Sequence, residues 1–353
     1  MTRARHAAVG ALLLAVVAYA VLPLGASVRS WVYEAIAVLG VGLGAWGVHA
    51  HRLPRRRGWV LVLSGFALWV LGDLVWDVEQ EVLHLDLLPA PSDGVYLAGY
   101  VLLGAGVLVL ARARRQSDHR VTLLDAAIVT VGVAVPTAVF LIGPAASDSS
   151  LSLAGQLTTS AYPLGDLFVL AVLARLALSP GASTAAFRWL VTSLVCTLGA
   201  DVAYQVGTIT GRFDDSVWMD LGWLSGYVAV GVSALHPSMR VLAEPPPDRV
   251  AAPSSRQLAV LATAAVLPGV TLLAQGLAGG PIAWPVVGAG TVVLGALVLA
   301  RMGTLLEQVQ VQAVQLAAIA RVDALTGAPN RRTWDHELSR ACAQALERGE
   351  PLA

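Results

Sequence analysis

About ten apolar segments, each long enough to cross a lipid bilayer as a helix, dominate this sequence. A membrane-spanning helix needs about 20 apolar residues, because the hydrocarbon core is about 30 Å thick. Hydrophobic residues make up 56% of the chain and charged residues only 13%, which excludes a soluble domain of this length. The sequence therefore predicts an all-α fold, a polytopic membrane helix bundle of about ten spans. The segments are 8–25, 31–50, 59–78, 93–111, 121–143, 157–178, 187–208, 217–236, 257–278 and 283–301.

The distribution of arginine predicts how the bundle is oriented. Sixteen arginines flank the membrane in one set of alternate connections and at the chain start, whereas the other set holds only Arg29 and Arg212 and carries acids instead. Cytoplasmic connections are enriched in basic residues. We therefore expect the arginine-rich side and both termini to be cytoplasmic, as an even number of spans requires.

A pattern of acids and aromatics occurs twice, about 128 residues apart. An Asp followed by an aromatic residue ends the third and the seventh segments, and the next segment of each pair carries an Asp, an aromatic three residues later and a Tyr seven residues later. These offsets place the three side chains on one helix face. The sequence thus indicates an internal duplication. Its members are Asp73, Trp76, Asp93, Tyr96 and Tyr100 in the first unit, and Asp201, Tyr204, Asp220, Trp223 and Tyr227 in the second.

These residues, with Asp166 of the sixth segment, lie toward the outer half of their spans. An ionisable side chain inside a span costs about 2.5–3.5 kcal/mol on insertion scales, so each needs an explanation. One interpretation is an outward-open pocket that binds a small polar or cationic ligand, or a cation. The other is an interfacial belt of aromatics with acids that cap helix ends. Asp93 fits the belt well, whereas Asp166 and Asp201 lie deeper and fit it poorly.

The domain organisation follows from these segments. We expect residues 1–236 to form an eight-span membrane unit with the duplication, 237–256 a proline-rich cytoplasmic loop, and 257–301 the last two spans. In 302–322 five residues recur at alternating spacings of four and three, namely Leu305, Val309, Gln312, Leu316 and Ile319. This spacing favours a coiled coil that pairs two copies of the chain. A short surface helix explains the same pattern.

A polar signature follows this helix, and it consists of Asp323, Leu325, Thr326, Gly327, Asn330, Arg331 and Arg332. By local chemistry it is a turn in which Asn330 caps a following helix. The signature resembles the opening of a GGDEF domain, the catalytic module of bacterial diguanylate cyclases, over residues 321–353. The resemblance implies that 323–353 is the incomplete start of this domain and that Asn330 contacts the guanine of GTP. An Asp usually follows nine residues later, but Ser339 stands there, which puts guanine selectivity in doubt.

The resemblance implies the membrane sensory and anchoring region of an enzyme that makes cyclic di-GMP from two GTP. In that family Mg²⁺ is held by carboxylates on two strands, one in the Gly-Gly-Asp/Glu-Glu-Phe turn, and none of those residues occurs here. We therefore assign no catalytic residue and no metal ligand, and we expect the chain to be inactive alone. Small-solute transport and a non-enzymatic regulatory role are the alternative functions.

The resemblance also sets the expected partners and location. We expect a multi-pass protein of the bacterial inner membrane, with the lipid bilayer, a second copy through 302–322 and an unknown small ligand on the outer side as partners. GTP and Mg²⁺ belong to the complete family enzyme, and the sequence indicates no nucleic-acid partner.

Overall fold

The structure, a computed structural model, describes residues 3–23, 25–85, 87–114, 119–179, 184–211, 217–244, 255–319, 323, 326, 328 and 330–349. These residues form helices and contain no strand. Nine of the helices are long and apolar enough to cross a membrane. The predicted fold class, an all-α membrane helix bundle, is thereby confirmed. The chain divides into two compact units, residues 1–297 and 298–353.

Thirteen α-helices are present in the described part of the chain, and two of them continue into a turn of π-helix. The α-helices are α1 (Arg3–Val21), α2 (Ala26–His51), α3 (Arg57–Asp77), α4 (Pro91–Ala113), α5 (His119–Thr137), α6 (Gly143–Ser147), α7 (Leu153–Ala177), α8 (Ala185–Thr210), α9 (Val217–Leu235), α10 (Met239–Leu242), α11 (Ser255–Ala278), α12 (Trp284–Ile319) and α13 (Arg331–Arg348). The π-helical turns are Val78–Val82 after α3 and Ala138–Ile142 after α5.

Helix α9 accounts for the difference between the ten predicted spans and the nine apolar helices. It forms where the eighth span was expected, but it is not among the nine helices that are long and apolar enough to cross a membrane. Helices α1, α2 and α8 pack around it, and almost every residue from Leu224 to Leu235 is buried. Most of the surface of α9 is therefore covered by other helices of the bundle.

Glycines let α2 and α9 approach closely. A Cβ added to Gly47 would lie 2.3 Å from the Ala234 carbonyl oxygen, and one added to Gly231 would lie 2.3 Å from the carbonyl oxygen of Gly40. Helices in lipid associate by such close packing, because burial of apolar surface brings little gain when lipid is the alternative. The two backbones are therefore in contact along this crossing.

Helices α2–α4 and α7–α9 pack in a reciprocal way. Within each set the last two helices form a close pair, α3 with α4 and α8 with α9. Between the sets, α2 packs on α9 and α7 packs on α4. Individual contacts repeat as well, since Gly231 of α9 meets Leu43 of α2 and Gly104 of α4 meets Phe168 of α7. The last helix of each set thus packs against the first helix of the other.

The remaining helices lie outside these two sets. Helix α11 packs on α5, where Gly132 contacts the Ala264 backbone, and most of the α11 surface is exposed. Helix α12 continues through the boundary expected at 301/302 without a break and ends at Ile319. Within the predicted loop 237–256, α10 is helical, while 245–254 and the stalk residues 320–322 lie outside the described residues.

We predict that Gly47→Val lowers the free energy of unfolding by about 1–3 kcal/mol, because the new side chain would overlap the backbone of α9. Gly42→Val on the same helix is the matched control, since a Cβ at Gly42 meets no atom within 4 Å. Unfolding in mixed detergent micelles measures both variants. Equal losses of stability in the two variants would contradict the assigned crossing.

Candidate functional site

Asp73 of α3 is the centre of the first group of polar side chains. The Tyr96 hydroxyl of α4 donates a hydrogen bond of 2.7 Å to its Oδ1 atom, and the Tyr227 hydroxyl of α9 donates one of 3.0 Å to Oδ2. Both tyrosines are at least half-buried. Each carboxyl oxygen therefore has a donor inside the bundle, which offsets part of the cost of removing this acid from water.

Asp201 of α8 is the centre of the second group. The Trp223 indole Nε1 of α9 donates a hydrogen bond of 2.8 Å to Oδ1, and the Tyr100 hydroxyl of α4 donates one of 3.0 Å to Oδ2. The two groups share helices α4 and α9, on which the donors are one turn apart. We call the two groups together the acid–aromatic centre, defined by Asp73, Tyr96, Tyr100, Asp201, Trp223 and Tyr227.

The donors of the acid–aromatic centre exchange between the two duplicated units. The aromatic residue at offset three, Tyr96 or Trp223, binds the acid of its own unit. The tyrosine at offset seven, Tyr100 or Tyr227, binds the acid of the other unit. Since α4 and α9 each supply one donor to each acid, neither acid is satisfied without side chains from both units.

The two acids at the starts of α4 and α9 have their own tyrosine partners. Asp93 accepts a hydrogen bond of 2.5 Å from the Tyr162 hydroxyl and one of 2.7 Å from the Ala90 backbone N–H, so it also caps α4. Asp220 accepts a hydrogen bond from the Tyr19 hydroxyl of α1. The helix-capping role considered for Asp93 is therefore present in the structure.

Ring contacts hold the aromatic side chains in place. The Tyr162 ring centroid lies 6.5 Å from that of Tyr96 and 6.4 Å from that of Tyr100. Tyr204 packs at 6.0 Å from Trp223. Trp76 is placed differently, because 49% of its surface is exposed on the outside of α3. Of the predicted pocket residues, Trp76 thus lies apart from the acid–aromatic centre.

Two acids in the bundle interior have oxygens without a hydrogen bond among the described residues. Asp166 of α7 is only 8% exposed and neither carboxyl oxygen has a partner, although Tyr100 and Asp201 lie next to it. Glu34 of α2 is 5% exposed, and its Oε2 atom lacks a partner in the neighbourhood of Asp73. These are the carboxyl oxygens of the bundle interior that lack a hydrogen-bond partner among the described residues.

Sequence reasoning did not include three residues that complete this region. The Tyr19 hydroxyl donates to Asp220, and the Trp69 indole donates to the Tyr96 carbonyl oxygen at 3.1 Å. The carboxylate of Glu79 accepts two hydrogen bonds from Ser92, one from the backbone N–H at 3.0 Å and one from the hydroxyl at 2.6 Å. Tyr19 and Trp69 are polar aromatics in apolar segments, as the predicted members were. They lie outside the repeated pattern, so the pattern gave no reason to select them.

The signature residues that the structure describes form a turn followed by a helix. Asp323 Oδ1 accepts from the N–H and the hydroxyl of Thr326, both at 3.0 Å, and the Asp323 N–H donates to the Ala328 carbonyl oxygen at 2.8 Å. Asn330 Oδ1 accepts from the Thr333 N–H at 3.0 Å and caps α13, which begins at Arg331. Leu325, Gly327 and the side chain of Arg332 lie outside the described residues.

Ser339, at the position where the family places its partner Asp, lies on the exposed surface of α13. Its hydroxyl donates a hydrogen bond of 2.8 Å to the Asp335 carbonyl oxygen of the same helix. Among the described residues no group of three or more His, Cys, Asp or Glu side chains is arranged to hold a metal ion. The chemistry visible in the structure is therefore that of buried carboxyls and their donors.

Fold and site together define a polytopic membrane helix bundle with a buried acid–aromatic centre. Comparison with family models, curated proteins and solved structures finds no match to this chain.

We predict that Tyr100→Phe and Tyr227→Phe each lower the free energy of unfolding by about 0.6–2 kcal/mol, because each removes one hydrogen bond to a buried carboxyl and keeps the ring. Reciprocal contacts imply similar losses for the two variants. Tyr33→Phe is the control, since the Tyr33 hydroxyl has no hydrogen bond among the described residues. A loss in only one of the two, or one equal to the control, would count against the exchange of donors.

Proposed function

We propose that this chain is the membrane sensory and anchoring region of a diguanylate cyclase. The observation that carries the proposal is the signature from Asp323 to Arg332, with Asn330 at the position that contacts guanine in GGDEF domains. In the complete enzyme, two GTP-loaded domains with Mg²⁺ would form cyclic di-GMP. The activity itself would reside in residues other than these 353, which lack the metal-binding carboxylates of the family.

The length of α12 supports an anchoring role. Its 36 residues span about 54 Å as a helix, whereas about 20 residues suffice to cross the bilayer. The remainder of the helix lies between the last apolar segment and the signature. By the arginine distribution this extension is cytoplasmic, where GTP is available. The described helix extends as far as Ile319, and residues 320–322 lie between it and the signature.

The acid–aromatic centre supports a sensory role. It lies where the outer halves of the spans are expected, and each of its two acids depends on donors from both helix sets. A small polar or cationic ligand that competes for either carboxyl would change the contacts of α4 and α9 together. Carboxyls and aromatic faces are the groups that recognise such ligands.

The proposal is tested on the product of the complete reading frame that contains residues 1–353. Membranes that hold this product, supplied with GTP and Mg²⁺, should form cyclic di-GMP, detected by mass spectrometry. Asn330→Asp keeps an oxygen for the Thr333 N–H and removes the amide donors, so we expect kcat/KM for GTP to fall about tenfold or more with α13 intact. A frame without metal-binding carboxylates, or a product without cyclase activity, would refute the proposal.

We predict that Val309→Asp weakens dimerisation of this chain through the helix 302–322. Val309 lies on the four-and-three seam and is 61% exposed in a single chain, so a charge there would be buried between two copies. Val314→Asp is the matched control, because Val314 is 69% exposed on another face of the same helix. Mass photometry in nanodiscs measures the dimer fraction. Equal dimer fractions in both variants would exclude the seam as the interface.

A further inference from the structure

Asp166, which lies beside the acid–aromatic centre, differs from the other acids of the bundle interior because both of its carboxyl oxygens lack a partner among the described residues. The side chain is only 8% exposed, and the polar groups beside it are the Tyr100 hydroxyl and the Asp201 carboxyl, although neither oxygen of Asp166 meets strict hydrogen-bond geometry with a described residue. The adjacent Gly165 has no side chain, and the Tyr100 ring occupies that space, 2.8 Å from where a Cβ would be. Asp166 is therefore directed into the same interior region as Tyr100 and Asp201.

The fold does not require a carboxyl at this position. Gly104 of α4 contacts Phe168 of α7, and the equivalent glycine of α9, Gly231, contacts Leu43 of α2. Phe168 therefore corresponds to Leu43, so residues of α7 correspond to residues of α2 that lie 125 positions earlier in the sequence. Asp166 then corresponds to Val41, which packs against the hydrophobic core. An apolar residue serves at the equivalent place in the other helix set. The carboxyl of Asp166 is thus an addition to the shared framework rather than a part of it.

No basic side chain of the described residues on the helices that pack against α7 lies near this carboxyl. Arg112 of α4 is 12 residues from Tyr100, which is about 18 Å along the helix, and Arg188 of α8 is 13 residues from Asp201, about 20 Å. On α7 itself, Arg175 is nine residues away, about 14 Å. On α5, Arg120 lies in the first turn of the helix.

The titratable groups that do face Asp166 carry no positive charge. They are Tyr100 from α4 and Asp201 from α8. The other acids of the helices packed on α7 are Asp93, which binds Tyr162, and Asp125 near the opposite end of α5, which binds Gln257 at 2.7 Å. Helix α6 and the π-helical turn before it contain no acidic or basic residue. Among the described residues of these helices, none that faces Asp166 is a basic side chain.

We propose that Asp166 and Asp201 form a proton-binding site that holds one exchangeable proton between two carboxyls. Two ionised carboxylates side by side in a medium of low dielectric repel each other, and one proton removes that repulsion. A hydronium ion at the acid-rich end of the bundle transfers its proton to a carboxylate oxygen of Asp166, which forms an O–H bond, and the hydronium ion becomes water. On release the O–H bond breaks and the proton returns to a water molecule at the same end. Once protonated, Asp166 can donate a hydrogen bond to the carboxylate of Asp201. That carboxylate already accepts hydrogen bonds from the Tyr100 hydroxyl and the Trp223 indole. The inference stands whether or not the chain belongs to a cyclase.

Infrared spectroscopy of the full chain in lipid nanodiscs tests this site. At neutral pH, where exposed carboxyls are ionised, the wild-type protein should show the C=O band of a protonated carboxylic acid that shifts in deuterated water. Asp166→Asn should lose the band area of one group, and Asp166→Glu should retain it at a shifted frequency. Asp148→Asn, which alters an exposed acid bound to Ser150, should leave the band unchanged.

Asp166→Val provides the second variant if Asp166→Asn does not fold, because Val41 occupies the equivalent position. It should fold, as judged by circular dichroism, and lose the same band area. A band area that is unchanged in both Asp166 variants and in Asp201→Asn would overturn the site. So would a band that disappears when sodium chloride replaces choline chloride at constant pH, since the pair would then hold sodium rather than a proton.

Discussion

The bundle depends on how it accommodates carboxyl groups away from water. A buried acid is tolerated when donors surround it, and lipid offers none. Asp73 and Asp201 each obtain two donors from aromatic side chains of α4 and α9. Glycines make room for these contacts, as Gly72 of α3 does for the Tyr96 ring, which would lie 2.6 Å from a Cβ added at Gly72. Close helix packing and acid burial are therefore one requirement, since a wider crossing would leave the acids without partners.

The exchange of donors gives the two helix sets a shared polar core. If each acid were bound only within its own set, the sets could separate or rotate with no loss of hydrogen bonds. Because Tyr100 and Tyr227 cross between the sets, any relative movement must break or lengthen bonds at both acids. Ring contacts such as that of Phe66 with Tyr227, at 5.8 Å, resist the same movement. The two sets are thus held in one arrangement by directional contacts as well as by shape.

The sequence predicted where the helices lie along the chain, but it did not predict which acid each tyrosine binds in the folded bundle. Apolar length predicted the helices, and the offsets of three and seven predicted only that Asp93, Tyr96 and Tyr100 share one face of α4. That Tyr96 binds the acid of its own unit and Tyr100 the acid of the other depends on how α4 crosses α3 and α7, which no local pattern encodes.

Asp166 connects the interior of the bundle to its outermost helices through α5. Helix α7, which carries Asp166, packs on α5, and α5 in turn packs on α11 and meets Gly290 of α12 through Val135. Helices α11 and α12 lie outside the reciprocal sets, so α5 provides a contact route from the acid–aromatic centre to the helix that precedes the signature. The π-helical turn Ala138–Ile142 directly follows α5, and such turns are places where helix geometry adjusts at small cost. Helix α5 is therefore the element that contacts both α7, which carries Asp166, and α12.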